Sequence, residues 1–437
     1  MTVLRHGWIL TMDDQEHSYR DGYLVFDENG IIDVGDEKTI PQTYQAMGED
    51  LHGALVFPAF SNLHTHLSMV PFRSLADDCP NRLHRFLMPL EQKAMTKDLA
   101  VVSAKLAMAE LLLSGTTSAV DMYYFESDVA QAAMDMGFRL WAGETVLDAH
   151  RPDGEGLDSA FAEIQKTKDI TASCTLVTPL VAPHAPYSLS LESLKACYRY
   201  AQEHGTLWTM HLEEMPFEME QFRNTYQMTP VGVMEKEGLL DDRLIAAHLL
   251  LPTESDIEIL ASRHVSVAHC PGSNAKAAKG VAPIPEMLSA GCMVGLGTDG
   301  PSSGNTLDMF TQMKLYAVLQ KNRLHDRSAV PANTIVPLAT RNAGIILKAP
   351  IGQLIQGYQA DITILSFDRP NMVPCHDPYS VLAYSAGVQN VKDVYVAGRK
   401  KVANGNLVSV SYDDLVSQFT EQSARFNREA EKLLQTL

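Results

Sequence analysis

Histidine and aspartate residues stand at the ends of several well-separated apolar runs. His64 and His66 form a His-x-His pair, His211 follows TLWTM, and Asp299 follows MVGLGT. Side chains at positions i and i+2 of a strand point to the same face, so His64 and His66 can reach one metal ion. The three imidazoles and the carboxylate form a ligand set that suits zinc, or another divalent metal such as iron or manganese. The pattern therefore predicts a divalent metal site.

Further polar residues lie at the same kind of position, and most have a structural as well as a functional interpretation. Glu213 and Glu214 lie just beyond His211, where a carboxylate could carry a proton, although acids at the start of a helix are also favoured by the helix dipole. His248 follows the apolar IAA and is either functional or a buried core histidine. His184, flanked by prolines in APHAPYS, is predicted to have a functional role, whereas His269 stays open between anchoring and substrate contact.

Eight short apolar runs alternate with segments of helical periodicity after about residue 58. The runs are FPAFSNLHTH, TTSAVDM, FRLWAGE, TLVTPLVAPHA, TLWTMHL, RLIAAHL, HVSVAHC and MVGLGTD. This alternation predicts a parallel sheet covered by helices on both faces, and eight strand–helix units predict a (β/α)8 TIM-like barrel. Active sites of such barrels lie at the carboxyl ends of the strands, which is where the histidines and Asp299 stand.

Both ends of the chain carry short strand-like segments instead of this alternation. Residues 2–57 include a hairpin signal, Glu-Asn-Gly at 28–30, and strand character returns after about residue 347. A polar helix, YDDLVSQFTEQSARFNREAEKLLQT, closes the chain. We predict a small β-sandwich domain built from residues 1–57 and 347–437, including this helix, and a catalytic barrel over residues 58–346.

The amino-acid composition indicates which binding partners and which cellular compartment to expect. The formal net charge of −18 and a pI near 5.2 disfavour a nucleic-acid partner, which needs a basic face. The six cysteines are scattered with no C-x-x-C pair, which is typical of reduced thiols. No apolar run approaches the roughly 18 residues of a membrane span, and no signal-peptide pattern opens the chain. We expect a cytoplasmic homo-oligomer that acts on a small molecule.

Several longer motifs resemble one family. PAFSNLHTHLSMVPFRSLADDCP, PHAPYS, MHLEE, HCPGSNAKAAKGVAPIPEML and GTDGPSSGNTLDMF together are similar to the aminohydrolases of the amidohydrolase superfamily. Within it they resemble the triazine-hydrolase-like group, which includes the S-adenosylhomocysteine/5′-methylthioadenosine deaminases. The resemblance implies one Zn²⁺ per subunit, with Fe²⁺ or Mn²⁺ as alternatives, and these metal ligands: His64, His66, His211 and Asp299.

The same resemblance implies roles for the other polar residues. Glu214 matches the proton-transferring glutamate, and His248 matches the histidine that orients the attacking water. Asp299 would accept the water proton, and both Glu214 and Asp299 would contact the substrate. His184 matches a substrate-contacting histidine, and Glu91 in MPLEQK matches the glutamate that holds the ribose hydroxyls in nucleoside deaminases.

The implied reaction is hydrolytic deamination of an amino-substituted nitrogen heterocycle. The expected substrate is an adenosine-type nucleoside: S-adenosylhomocysteine, 5′-methylthioadenosine or adenosine. NRLHRFLMPLE lacks the family's Leu-x-x-Trp-Leu stretch, and GETVLDAH lacks the expected arginine, although Arg151 is near. These departures leave deamination of a free base or pterin, or hydrolytic displacement on a triazine-like ring, as alternatives. The complete ligand-and-acid set disfavours a non-catalytic metal-binding protein, and the acidic charge disfavours a nucleic-acid deaminase.

Overall fold

The structure is a computed structural model that describes residues 1–436, and these residues contain seventeen β-strands in two separate sheets. The strands of the first segment are β1 (Thr2–Leu10), β2 (Ser18–Asp27), β3 (Gly30–Asp36), β4 (Glu49–Asp50) and β5 (Leu55–Pro58). The middle strands are β6 (Phe60–Thr65), β7 (Thr116–Asp121), β8 (Arg139–Val146), β9 (Val177–Pro183), β10 (Trp208–Leu212), β11 (Leu244–His248), β12 (Ser266–His269) and β13 (Met293–Leu296). The last are β14 (Ile362–Leu365), β15 (Val391–Val396), β16 (Arg399–Ala403) and β17 (Asn406–Leu407).

The same residues contain seventeen α-helices. The first nine are α1 (Gln42–Gln45), α2 (Met88–Ala94), α3 (Lys97–Leu113), α4 (Glu126–Met136), α5 (Gly156–Thr171), α6 (Leu191–His204), α7 (Pro216–Tyr226), α8 (Pro230–Lys236) and α9 (Glu254–Ser262). The others are α10 (Pro271–Lys276), α11 (Ile284–Ser289), α12 (Met309–Leu324), α13 (Ala332–Ile335), α14 (Arg341–Ile346), α15 (Pro378–Tyr384), α16 (Tyr412–Gln422) and α17 (Ala424–Leu434). Of the helices described, none combines the length and apolar character needed to span a membrane.

Strands β6 to β13 follow one another in chain order through a parallel eight-stranded sheet. The backbone amides of Thr298 and Asp299, just after β13, donate to the carbonyl oxygen of His64 in β6 at 3.2 and 3.0 Å. These bonds join the last strand to the first at the carboxyl end of the sheet. The strand interiors are almost entirely buried, because side chains fill the inside and helices cover the outside. The predicted (β/α)8 barrel is therefore confirmed.

Two barrel helices end where the sequence predicts. Helix α3 begins after Thr96, whose hydroxyl accepts the Leu99 amide, and the chain turns at Gly115 with φ of +80°. Helix α6 ends at Gly205, which has φ of +63° and donates its N–H to the carbonyl of Ala201. Glycine adopts this left-handed conformation without the Cβ penalty of other residues, so both turns lead directly into the next strand.

The second sheet draws its strands from both ends of the chain. Its order is β17-β16-β15-β14-β5-β1-β2-β3, with the short β4 beside β1. Strands β5 and β14, which are far apart in sequence, pair antiparallel with Ile362 opposite Pro58 and Leu365 opposite Leu55. A separate β domain is therefore built from strands of both terminal segments, as predicted. Its boundaries at residues 57/58 and 346/347 are proposed from the sequence pattern.

Buried polar contacts connect the β domain to the barrel. The Arg139 guanidinium on β8 donates to both carboxylate oxygens of Asp361 at 2.9 and 3.2 Å, and both side chains are almost fully buried. The Thr363 hydroxyl donates to the carbonyl of Gly115 at 2.8 Å. Because an unpaired buried charge is costly, the Arg139–Asp361 pair fixes one orientation of the two units.

The chain closes with two helices where the sequence predicts one. Helices α16 and α17 meet at Ser423, and they pack against barrel helices α3 and α2, respectively. On α17, the Phe426 ring packs edge-on against Phe72 with centroids 4.7 Å apart. The final segment therefore supports α2, which carries Glu91.

Candidate metal centre and active site

The four predicted metal ligands lie together at the carboxyl end of the barrel. His64 lies in β6, His66 follows that strand by one residue, His211 lies in β10, and Asp299 follows β13. Their side chains are buried or nearly so. The structure therefore brings together four residues that span more than half of the sequence.

The histidine rings converge on one point. Nε2 of His66 and Nε2 of His211 lie 3.3 Å apart, and Nε2 of His66 lies 3.2 Å from Oδ1 of Asp299. The His64 ring lies 4.9 Å from His66 and 4.8 Å from His211, centroid to centroid. Two nitrogens that each lie 2.0–2.1 Å from a tetrahedral zinc are about 3.3 Å apart. The observed spacing thus fits a tetrahedral cation.

Backbone carbonyl groups fix the orientation of two of these rings. Nδ1 of His66 donates to the carbonyl oxygen of Met122 at 2.6 Å, and Nδ1 of His211 donates to that of His184 at 2.7 Å. A carbonyl oxygen only accepts, so each Nδ1 carries the hydrogen, and in the neutral ring Nε2 has its lone pair directed into the site. Metal-binding histidines commonly have this arrangement.

His64 provides independent support for a cation. It is fully buried, yet neither ring nitrogen has a hydrogen-bond partner within residues 1–436. Leaving a buried polar group unsatisfied costs about 1–3 kcal/mol. Burial holds the pKa of both His64 and His211 well below the usual range, which favours the neutral form that binds a metal ion. These residues therefore fit a divalent metal ion.

His248 lies close enough to belong to the same cluster. Its ring is 5.3 Å from His64, and one nitrogen from each of His64, His211 and His248 lies within 4.8 Å of the others. Nδ1 of His248 bonds to Oδ1 of Asn274 at 2.9 Å, and Nε2 lies 3.7 Å from Oε1 of Glu214. His248 thus faces both the histidine cluster and the predicted proton carrier.

The chain turns sharply after β10 and brings Glu214 into the site. Glu213 has φ of +49° and directs its carboxylate to the amide of Val231 at 3.1 Å. The Glu218 carboxylate accepts the backbone N–H groups of Glu213 and Glu214 at 3.0 and 3.1 Å, which fixes this turn. The buried Glu214 side chain forms an ion pair with Lys279. Sequence reasoning missed both Glu218 and Lys279.

Glu91 lies on α2, in the wall of the site near His66. Its carboxylate accepts hydrogen bonds from the hydroxyls of Tyr123 at 2.6 Å and Tyr124 at 3.3 Å. Tyr123 follows Met122, whose carbonyl binds His66. Burial raises the pKa of Glu91 to about 7, although the tyrosine hydroxyls oppose the shift. The tyrosines were also missed, because the YY pair after the second barrel strand matches no motif.

The remaining predicted residues are at the same end of the barrel. The His184 ring lies 4.8 Å from His211, and its Nδ1 bonds to the Ser188 hydroxyl at 3.0 Å. His269 is buried with its ring 5.7 Å from Tyr316, and in the described residues its Nδ1 has no partner. The geometry thus brings all the predicted site residues to one end, while the role of each stays a prediction.

Arg151 belongs to a buried group of charged side chains. Its guanidinium is fully buried, donates to Asp153 at 3.0 Å and lies 3.7 Å from Glu144. It neutralises part of an internal cluster of acids beneath the loop after β8.

Comparison with known proteins identifies the family. The model of the Amidohydrolase family matches residues 55–401. The chain is 33% identical over 423 residues to the 5-methylthioadenosine/S-adenosylhomocysteine deaminase of Pyrococcus horikoshii, covering 96% of this chain and 99% of that one. It is 35% identical over 416 residues to the 5′-deoxyadenosine deaminase of Methanopyrus kandleri, covering 93% and 95%, respectively.

Solved structures of other proteins are similar to this chain as well. A zinc-bound adenosine deaminase from Xanthomonas campestris has a TM-score of 0.92 at 28% identity, with 98% of both chains covered. A zinc-complexed atrazine chlorohydrolase from Arthrobacter aurescens has a TM-score of 0.88 at 24% identity, covering 97% of this chain and 100% of the other, which shows the shared fold. The resemblance drawn from the sequence motifs is therefore confirmed, and the chain belongs to the amidohydrolase family.

Proposed function

We propose that this protein is a zinc-dependent aminohydrolase with one Zn²⁺ per chain, held by His64, His66, His211 and Asp299. The observation that carries the proposal is the 3.3 Å separation of the His66 and His211 Nε2 atoms beside a fully buried, unpartnered His64. A bound zinc ion acts as a Lewis acid and makes water a competent nucleophile at neutral pH.

The side chains at the metal site have different roles in moving protons. Asp299 accepts a proton from the attacking water, and His248 orients that water by a hydrogen bond. The Glu214 carboxylate accepts the other proton of that water and donates it to the ring nitrogen next to the reacting carbon, which makes that carbon electrophilic. A carbon–oxygen bond forms, and Asp299 passes the proton it accepted to the amino nitrogen. The carbon–nitrogen bond then breaks and ammonia leaves, so a carbonyl replaces the amino group. The 3.7 Å separation of His248 and Glu214 supports a shared function.

The proposed substrate is an adenosine-type nucleoside, such as S-adenosylhomocysteine, 5′-methylthioadenosine or adenosine. Relatives that match most of this chain are named as deaminases of such nucleosides, and this supports the proposal. Glu91 would accept hydrogen bonds from the two ribose hydroxyls, and His184 would also contact the substrate. Two tyrosine hydroxyls hold the Glu91 carboxylate in one orientation in the wall of the site.

A second candidate is deamination of a free base or a pterin. The observation that favours it is that both Glu91 oxygens already accept tyrosine hydrogen bonds. A ring without ribose would leave those bonds undisturbed. Hydrolytic displacement on a triazine-like ring would use the same water-activating residues.

A substrate panel separates these candidates. We would measure ammonia release from adenosine, 5′-methylthioadenosine, S-adenosylhomocysteine, adenine, guanine, cytosine and a pterin, and product release from a chlorotriazine. The proposal expects the highest kcat/KM for one of the three nucleosides. Activity confined to a free base, a pterin or a triazine would overturn the nucleoside assignment.

The same proposal includes a homo-oligomer in the cytoplasm, with no nucleic-acid or membrane partner. Six free cysteines in the described chain suit a reducing compartment, and the net charge of −18 is unsuited to a phosphate backbone. Light scattering of the purified protein would test the oligomeric state, with a monomer mass of 48.1 kDa as the contradicting result.

A further inference from the structure

Lys279 points inward from an exposed loop. Its neighbours Ala277, Ala278 and Gly280 are exposed, whereas the Lys279 side chain is only 24% exposed. Its backbone amide donates to the carbonyl of Asn274 at 3.0 Å, which fixes where the side chain enters the site. A lysine in such a loop would ordinarily extend into solvent. The inward orientation therefore points to a function for the ammonium group.

The group that Lys279 reaches is the Glu214 carboxylate. Its Nζ bonds to Oε1 of Glu214, and the same oxygen lies 3.7 Å from Nε2 of His248. The Glu214 side chain is 9% exposed, so the ion pair is poorly screened by water. Lys279 thus bonds directly to this Glu214 oxygen, and His248 lies near the same atom.

One short segment organises both contacts. Asn274 on α10 accepts from Nδ1 of His248, and its backbone carbonyl accepts from Lys279 three residues beyond that helix. Lys276 at the end of α10 donates to Asp77 at 2.8 Å, which anchors the segment across the mouth of the site. The positions of His248 and Lys279 are therefore coupled through Asn274.

A carboxylate that carries protons must present one oxygen to its substrate in a fixed direction. A lysine ammonium is a compact charge with three donors, so it can hold Oε1 while Oε2 remains directed elsewhere. Burial lowers the pKa of Lys279, but the charge of Glu214 outweighs it and raises that pKa, so the lysine remains a cation. The ion pair therefore persists at neutral pH.

We propose that Lys279 is a positioning residue for Glu214: it fixes Oε1 so that the carboxylate relays a proton from water to the substrate ring in one geometry. This inference rests on the proposed role of Glu214 as the proton carrier. Because it acts through orientation, Lys279 affects the chemical step more than substrate affinity.

The test uses three variants of Lys279 in the full chain. Lys279→Met keeps the length without the charge, Lys279→Arg keeps the charge, and Lys279→Ala leaves space for an added amine. Misplacing a reacting group by about 1 Å can cost about 100-fold. For Lys279→Met we expect kcat to fall about 10- to 100-fold, with KM changed less than about threefold and zinc content unchanged.

Rescue separates positioning from a merely structural role. We expect Lys279→Arg to recover much of the lost kcat, and ethylammonium to raise kcat of Lys279→Ala several-fold. Lys348→Met is the matched control, since Lys348 pairs with Asp242 at 2.7 Å before β11, at the opposite end of the barrel. We expect its kcat to equal that of the wild type.

The outcomes distinguish this inference from the proposed function. The variants are assayed on whichever panel substrate the wild type hydrolyses, so a non-nucleoside substrate overturns the substrate assignment alone. Lys279→Met with wild-type kcat would overturn the inference. So would a loss of kcat that comes with loss of zinc, or that neither arginine nor ethylammonium restores.

Discussion

Nδ1 of His211 donates a 2.7 Å hydrogen bond to the backbone carbonyl of His184, so the end of β9 orients a histidine of β10. His66 has the same relation to Met122, across β6 and β7. In both cases a neighbouring strand end fixes the ring of a proposed metal ligand. The barrel thus supplies both the ligands and the groups that hold them, and the site depends on the register of adjacent strands.

Glu214→Gln should retain zinc and lose most of the turnover. The amide is nearly isosteric but cannot transfer a proton, and general acid–base catalysis is worth about 10²–10⁴-fold. Steady-state kinetics and metal analysis of the same sample would check this. Glu235→Gln, which alters a carboxylate paired with Arg263 at the surface, is the control. Turnover within about threefold of wild type would remove Glu214 from the mechanism.

Glu91→Ala should discriminate between substrates with and without ribose hydroxyls. A hydrogen bond to a charged group is worth about 1.5–3 kcal/mol, so kcat/KM on the active ribonucleoside should fall about 10- to 150-fold. The 2′,3′-dideoxy analogue should lose far less. Equal losses on both would show that Glu91 does not contact the hydroxyls.

The pH dependence of nucleoside turnover should follow the protonation of Glu91. Burial raises the pKa of this carboxyl to about 7, so below that pH it is neutral and a weaker acceptor. We expect kcat/KM on the ribonucleoside to rise as pH increases through about 7, relative to the dideoxy analogue at each pH. The Tyr123 hydrogen bond lowers this pKa, so Tyr123→Phe should move the rise to higher pH. A ratio that is flat with pH would contradict the assignment.

Arg139→Met should destabilise the whole chain without acting at the active site. Removing one partner of a buried ion pair leaves Asp361 uncompensated, at a cost of about 3–5 kcal/mol. Urea unfolding would measure the change in free energy. Arg399→Met, which breaks an exposed pair with Glu28, should change stability little. Equal effects of the two substitutions would contradict a stabilising role of the buried pair.

The sequence predicted the barrel and its ligand-bearing strands because their signals are local. Strand alternation places His64 and His66 on one face, and apolar runs show where each strand ends. At β10, however, the same alternation would direct Glu213 towards the site, since it is two residues after His211. The positive φ of Glu213 reverses this and brings in Glu214, which only the motif resemblance indicated.

The residues missed by sequence reasoning act through contacts between distant segments. Lys279 meets Glu214 across 65 positions, and Tyr123 meets Glu91 across 32. Neither contact produces a recognisable spacing in the sequence, because each depends on the conformation of a loop. Arg151, which lies near the place where the family's arginine was expected, pairs with the buried acids Asp153 and Glu144.

A zinc titration of metal-depleted enzyme tests the central claim most directly. Protein stripped with a chelator would receive increasing zinc while ammonia release from the active nucleoside is measured. The account predicts no release without metal, a linear rise, and a plateau at one zinc per chain. Full deamination by the stripped protein, or no deamination at any zinc concentration, would contradict it.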